Sequence, residues 1–374
     1  MSLLSGLYGH ATQIRRSYYR RAPARRRRLA RPVISVGNLT VGGSGKTPAV
    51  AALARLLLAR GERPAILSRG YGRRQQTGGV VVVSDGTGAL VPVEASGDEP
   101  QLLARTLPGV PVLVAASRYA AGRLAETRFD CTVSLLDDGF QHVQLERDVD
   151  LLLVSAADLD DRVLPAGRLR EPLSAAHAAH ALVVPADEEI ARFAGLGVGA
   201  VFQARVRALP ARLLQPAWTP APDGGSLPVP GAAPAPMPSP GAAVSPASVP
   251  ASLRVPEGTS RRVVVLSAIA RPERFVRTLR GEGWEVAAEI ACRDHHWFTA
   301  DDVRRVAQAV YDSGASLVMT TEKDAMRLGD APLDLPCPCA YLPIETMLEP
   351  EAAFADWLAT ELTRARARKR SDAA

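Results

Sequence analysis

Val33-Ile34-Ser35-Val36 is a short apolar run, Gly37-Asn38-Leu39-Thr40-Val41-Gly42-Gly43-Ser44-Gly45-Lys46-Thr47 follows it, and from Pro48 a helical pattern carries Leu53, Leu56 and Leu57 on one face. A buried strand, a glycine-rich loop and a helix in that order restrict the chain to α/β folds built on parallel strands. The same order makes a cradle for phosphate, because backbone N–H groups over Gly42, Gly43, Ser44 and Gly45 and the helix N-terminus face one point. Lys46 would reach the β- and γ-phosphates of a nucleotide and Thr47 would ligate Mg²⁺. Thr40 replaces the first glycine of the GxxxxGK[ST] pattern, and a glycine-rich turn without nucleotide stays open on the loop alone.

The rest of the chain continues the alternation. Val80–Val83, Thr132–Leu136, Leu151–Val154 and Ala181–Val184 read as strands, and beyond them Val263–Leu266, Glu285–Ile290 and Leu317–Thr320 do so again, with helical patterns between. The intervening stretch from Gln215 is dominated by Pro, Ala, Gly, Ser and Val without either period, and reads as a flexible or polyproline-like insert. The expected organisation is a leader at 1–31, a phosphate-loop unit at 32–214, an insert at 215–258 and a second α/β unit at 259–374. Four cysteines without CxxC spacing indicate neither a zinc site nor a disulfide framework, as in a reduced cytosolic chain.

Basicity is confined to the leader. Nine arginines fall within the first 31 residues and no acid occurs before Glu62, leaving 36 basic against 39 acidic residues in the remainder. That local charge argues against a broad nucleic-acid surface. Leu3, Leu7, Ala11, Ile14 and Tyr18 recur at helical spacing, followed by Arg15, Arg16, Arg20 and Arg21, which fits an amphipathic helix lying on an anionic bilayer surface. It is too short to span. A transit-type peptide and a solvated basic arm are the alternatives.

Carboxylates stand where the phosphate chemistry would use them. Asp137 and Asp138 end a parallel strand beside the loop, where a Mg²⁺-linked aspartate is expected, although Asp-Gly also suits a turn. Gly97-Asp98-Glu99-Pro100 precedes a helix and could supply a base or simply a cap. Asp294-His295-His296 follows a strand of the second unit; His295 could orient Asp98 if the units face each other, and solvated histidines are the plainer reading. The chain has three lysines, Lys46, Lys323 and Lys369, against 42 arginines. Lys46 has an evident reason to be a compact ammonium; Lys323 has none that the sequence supplies.

Taken together, Val36–Pro48, Ser68-Arg69-Gly70-Tyr71-Gly72, Gly97–Pro100, Asp137-Asp138-Gly139-Phe140-Gln141-His142, Leu164–Pro172 and Thr321-Glu322-Lys323-Asp324-Ala325 resemble the tetraacyldisaccharide 4′-kinase family, also called LpxK. The resemblance implies a P-loop NTPase-like α/β/α sandwich with a second, smaller α/β/α unit and an N-terminal amphipathic helix. It implies Mg²⁺-dependent transfer from ATP to the 4′-hydroxyl of a tetraacylated disaccharide 1-phosphate, a lipid A precursor, by a monomer bound peripherally at the cytoplasmic face of the inner membrane. By matching positions, Asp98 resembles the catalytic base, His295 its partner, and Lys46 the phosphate-binding lysine. Thr47, Asp137, Asp138 and Glu99 stand for the metal-associated groups, and Arg69, Arg118, His142, Arg168 and Arg170 for the substrate-binding ones. The long insert departs from the family. A membrane-associated partition-type switch ATPase is the rival, weakened by Val41 where its signature lysine would fall.

Overall fold

The computed structural model describes residues 3–75, 78–214, 254–255, 258–329 and 334–372. Most of the expected insert therefore lies outside the described residues. Every strand named above forms, within one or two residues of its expected ends.

A nine-stranded sheet carries the phosphate loop. From edge to edge its strands begin at residues 344, 200, 181, 149, 33, 133, 64, 111 and 80. The seven inner strands pair in parallel, and the two edges are antiparallel. Sheets of this kind need cover on both faces. One face takes the helix Lys46–Ala59 through Leu53 and Leu57, the helix Asp98–Thr106 through Leu103, and the C-terminal helix Glu351–Ser371 through Phe354, Leu358 and Leu362. The other takes Arg118–Arg128 through Ala121 and Ala125. The result is the expected α/β/α sandwich.

A second sheet has strands beginning at 285, 262, 317, 339 and 212, all parallel except the last. Phe275, Val276 and Leu279 of the helix Pro272–Gly281 cover one face, and Val306 and Val310 of Ala300–Ser313 cover the other.

The expected boundaries need correction at both ends of this unit. Arg212–Leu213 already belongs to the second sheet, and Ile344–Glu349 returns to pair with Ala200–Ala208 in the first. The return is driven by burial: Phe354 and Phe202 meet edge-on, with ring centroids 5.0 Å apart, in the core that Leu53 also fills. Two chain crossings thus tie the units together. The phosphate-loop strand Val33–Asn38 lies at the centre of the large sheet beside Val133–Asp137, so the loop and the paired acids leave neighbouring strands at the same carboxyl edge.

Candidate active site

Lys46 opens its helix behind Gly45. Its Nζ lies 3.0 Å from Asn38 Oδ1, 3.4 Å from Ser44 Oγ and 3.5 Å from Asp138 Oδ1. Asn38 in turn donates to the Thr40 hydroxyl at 2.9 Å. The residue that replaces the first loop glycine is thus buried and hydrogen-bonded, with no need of a glycine's freedom. The Thr47 hydroxyl makes no hydrogen bond among the described residues.

Asp137 and Asp138 diverge sharply. Asp138 takes the left-handed conformation, φ 55°, which an aspartate tolerates better than most residues. This turns its carboxylate to Arg170, 2.8 Å away, and to Lys46. Burial alone would raise it, yet those two cations hold it below the usual carboxylate range. Asp137 stays buried, and its Oδ1 has no hydrogen-bond partner among the described residues. Burial, with Glu99 and Asp138 nearby, pushes it up to about 7 against the pull of Lys46 and Arg118. A pair of hard oxygen donors, one orphaned and repelled by two other acids, suits a divalent cation.

That environment has a measurable consequence. With a folded-state value of about 7 and an unfolded one of about 3.9, the folded chain retains a proton that the unfolded chain has released between those pH values. The stability owed to this group therefore falls as pH rises from about 4 to 7. In EDTA, Asp137→Asn is expected to raise the melting temperature relative to the parent at pH 8, with the gain disappearing near pH 4. An equal effect at both pH values would contradict this environment for Asp137.

Asp98 is the first residue of the helix Asp98–Thr106, and its side chain is only 2% exposed. Its Oδ1 accepts the backbone N–H of the next residue, Glu99, at 2.9 Å, and its Oδ2 lies 3.0 Å from His295 Nδ1. The N-cap position falls on Gly97 and no side chain caps the helix, so Asp98 is not the cap that the sequence allowed, and its two oxygens are divided between the helix start and His295. Arg327 Nη1 at 3.6 Å and Lys323 Nζ at 3.9 Å complete the shell. Desolvation opposes ionisation, but the His295 hydrogen bond and the cations Lys323 and Arg327 hold Asp98 below the ordinary carboxylate range.

The two units close on each other here. Gly72 packs against His295 so tightly that a Cβ would stand 3.1 Å from Nδ1, and Tyr71 meets the same ring edge-on with centroids 5.0 Å apart. At the phosphate loop, a Cβ on Gly42 would come within 3.4 Å of Ala270 of the second unit. Of the two neighbouring histidines, His295 faces Asp98, whereas His296 Nε2 lies 2.8 Å from Asp302. Asp302 is a helix-capping group that also accepts from the Thr299 N–H and hydroxyl. Cys292, His296 and Asp302 do gather their donor atoms within 4.8 Å of one another, a grouping that cysteine spacing did not suggest.

A family profile described as "Tetraacyldisaccharide-1-P 4'-kinase" matches residues 1–363. The chain belongs to this tetraacyldisaccharide 4′-kinase family. It is 38% identical to a tetraacyldisaccharide 4′-kinase of Koribacter versatilis, covering 88% of this chain and 89% of the relative. A Geobacter metallireducens relative of the same name is also 38% identical, over 88% of each chain. Among solved structures it is similar to apo-form LpxK from Aquifex aeolicus in complex with ATP, with a TM-score of 0.70, 30% identity and 96% and 97% of the two chains covered.

Among the residues expected to meet substrate in this family member, Arg69, Arg118 and His142 form one electropositive group. Burial and the arginines 118, 147, 15 and 69 depress His142 to about 4. Burial and Arg69 lower the buried Arg118 to about 10. Arg170 instead joins the acids. Arg168 stands apart, paired with Asp161 at 2.8 Å and Asp158 at 3.7 Å, and reaches the loop only by its carbonyl, which accepts from Val41 N–H. Sequence reasoning missed Asn38, Gln141, which donates to the Asn38 carbonyl at 2.9 Å, and Arg327. The last had a signal: it lies four residues beyond Lys323, on the same face of one helix.

Proposed function

We propose that this chain is an ATP-dependent lipid kinase that phosphorylates the 4′-hydroxyl of tetraacyldisaccharide 1-phosphate, giving lipid IVA in lipid A biosynthesis. The observation that carries this reading is the 3.0 Å contact between Asp98 and His295 across the two units, beside Glu99, which lies within electrostatic reach of Asp137. A nucleotide switch has no use for a buried carboxylate paired with a histidine of a second unit.

The acceptor hydroxyl gives its proton to the Asp98 carboxylate as its oxygen forms a bond to the γ-phosphorus. The bond from that phosphorus to the β–γ bridging oxygen breaks, and ADP leaves. Asp98 is suited to this because its neighbours keep it ionised, while two hydrogen bonds leave lone pairs for the incoming proton. Lys46 and the loop N–H groups bear the charge on the transferring phosphoryl. Thr47, Asp137, Asp138 and Glu99 would hold Mg²⁺, which supplies positive charge beside the phosphates. Arg69, Arg118 and His142 supply a polar, basic surface for the sugar and its 1-phosphate.

Access to a lipid acceptor depends on the leader. The helix Leu3–Arg21 is fixed by Arg16, which donates to Glu171 at 2.7 Å and lies over the Phe140 ring at 4.3 Å. Ser5 and Gly9 are its buried side. Leu4, Leu7, Ile14 and Tyr18 face outward, 48–63% exposed; the side chain of Leu3 lies outside the described residues. No helix among the described residues is long and apolar enough to cross a membrane. An outward apolar stripe with flanking arginines suits peripheral binding to an anionic leaflet, at about 1 kcal/mol per basic residue, by a monomer at the cytoplasmic face of the inner membrane. Deleting residues 1–28 is expected to lower co-sedimentation with anionic vesicles, the intact chain losing binding as salt rises. Equal sedimentation of both forms would remove the anchor.

The activity itself is tested by incubating the full chain with γ-labelled ATP, Mg²⁺ and detergent-dispersed tetraacyldisaccharide 1-phosphate. Label is expected in the lipid, at the 4′ position, and to vanish with EDTA. Label released only as inorganic phosphate would support the switch reading.

A further inference from the structure

Lys323 has a place in the fold that the phosphoryl-transfer chemistry leaves unused. It stands in the first turn of the short helix Glu322–Leu328, which follows a buried strand of the second sheet. Its ammonium is 3.2 Å from Glu99 Oε1, 3.2 Å from His295 Nε2, 3.5 Å from Asp294 Oδ1 and 3.9 Å from Asp98 Oδ2. Its side chain is 19% exposed.

We infer that Lys323 is a positioning residue that holds the His295 ring in the tautomer with its proton on Nδ1, directed at Asp98. This rests on the reading of Asp98 as the base. An ammonium has donors and no acceptor, so its contact with Nε2 is a hydrogen bond only if Nε2 offers a lone pair. In a neutral imidazole the proton then resides on Nδ1, and among the described residues the carboxylate oxygen hydrogen-bonded to Nδ1 is Asp98 Oδ2. The opposite tautomer would set Nε2–H against the ammonium and a bare Nδ1 against a carboxylate, two repulsive contacts in a half-buried site. Arg327, with which burial is almost complete, donates to Asp324 and to the Ala268 carbonyl, and Asp324 accepts the Ala268 N–H at 2.9 Å and the Thr321 hydroxyl at 2.7 Å. That network ties the helix to the end of the neighbouring strand Arg262–Ser267, where the Ala268 carbonyl also accepts the His295 N–H at 3.1 Å. Lysine suits this corner of an arginine-rich chain. A compact ammonium can place three donors among Glu99, Asp294 and an imidazole edge, where a planar guanidinium would have to tilt away from the ring.

The test is ¹⁵N NMR of the histidine rings in the full chain, with the His295 signals assigned by difference against His295→Asn. The expected spectrum shows a protonated Nδ1 and a lone-pair Nε2 for His295; a protonated Nε2 in the parent overturns the inference without any variant. In Lys323→Met, Nε2 is expected to take up a proton facing Asp294, and kcat to fall by at least about tenfold with KM for ATP little changed. A loss of rate with the His295 signals unaltered would place Lys323's action elsewhere and overturn the proposal. If Lys323→Met fails to fold, Lys323→Arg is measured in its place, with the same ring signals deciding. Failure of the base reading is separately visible: Asp98→Asn would then retain turnover whatever tautomer His295 holds.

Discussion

Asp98→Ala is expected to lower kcat by about 10²–10⁴-fold, the range that a positioned general base supplies, while ATP binding measured by calorimetry remains close to that of the parent. The separation follows from geometry. Asp98 touches His295, Arg327 and its own helix start, and none of the phosphate-loop residues. Its loss leaves the loop, Lys46 and the acid pair in place. Asp98→Asn is the sharper variant, since it keeps the shape and can still accept from His295, but it cannot take the alcohol's proton. Turnover within a few-fold of the parent for either substitution would remove Asp98 from the chemistry.

Lys46→Met should be nearly as severe, and in a different way. Lys46 is the cation at the loop itself, 3.0 Å from Asn38 Oδ1 and 3.5 Å from Asp138 Oδ1, and in the proposed reaction its charge serves both the bound triphosphate and the phosphoryl group in flight. A loss of about 10²–10³-fold in kcat/KM is expected, the size found when one preorganised donor to a developing charge is removed. Unlike Asp98→Ala, the change should also weaken ATP binding, because phosphate contacts exist before the reaction begins. Lys46→Arg is not expected to restore the rate, since a planar fork cannot occupy a position shared with Asn38, Ser44 and Asp138. Steady-state kinetics with calorimetric ATP titration separate the two losses, and a Lys46→Met enzyme with unaltered ATP affinity would contradict this placement of the lysine.

What could be read from the residues beforehand divides along a physical line. The placement of Lys46, Thr47, Asp137 and Asp138 was legible because it follows from local order: strand, then loop, then helix, with the acids at the end of the next strand of a parallel sheet. Their separation in space is fixed by the 4.7–4.9 Å spacing of paired strands. The Asp98–His295 contact spans 197 positions and depends on how two sheets close, which no periodicity encodes; the motif resemblance supplied it. Two adjacent loop histidines are alike as residues, and only the fold distinguishes them. His295 sits at φ 59° with its ring toward Asp98, and the next residue turns to the cap at Asp302. Lys323 was conspicuous as one of three lysines, yet its reason lies in neighbours from two distant segments, Asp98–Glu99 and Asp294–His295. The return of Ile344–Glu349 to the first sheet was hidden for a similar reason. An edge strand has the same alternation wherever it pairs, and the choice between sheets was made by Phe354, Leu358 and Leu362 finding the larger core.

Direct transfer in one cleft, with Asp98 as base rather than as a phosphate-carrying nucleophile, is tested most directly by the stereochemistry at phosphorus. ATP made chiral at the γ-phosphorus, turned over with tetraacyldisaccharide 1-phosphate, is expected to give a 4′-phosphate of inverted configuration, the result of a single in-line displacement. Retention would mean two displacements through a phosphorylated enzyme group, and would contradict the role assigned to Asp98.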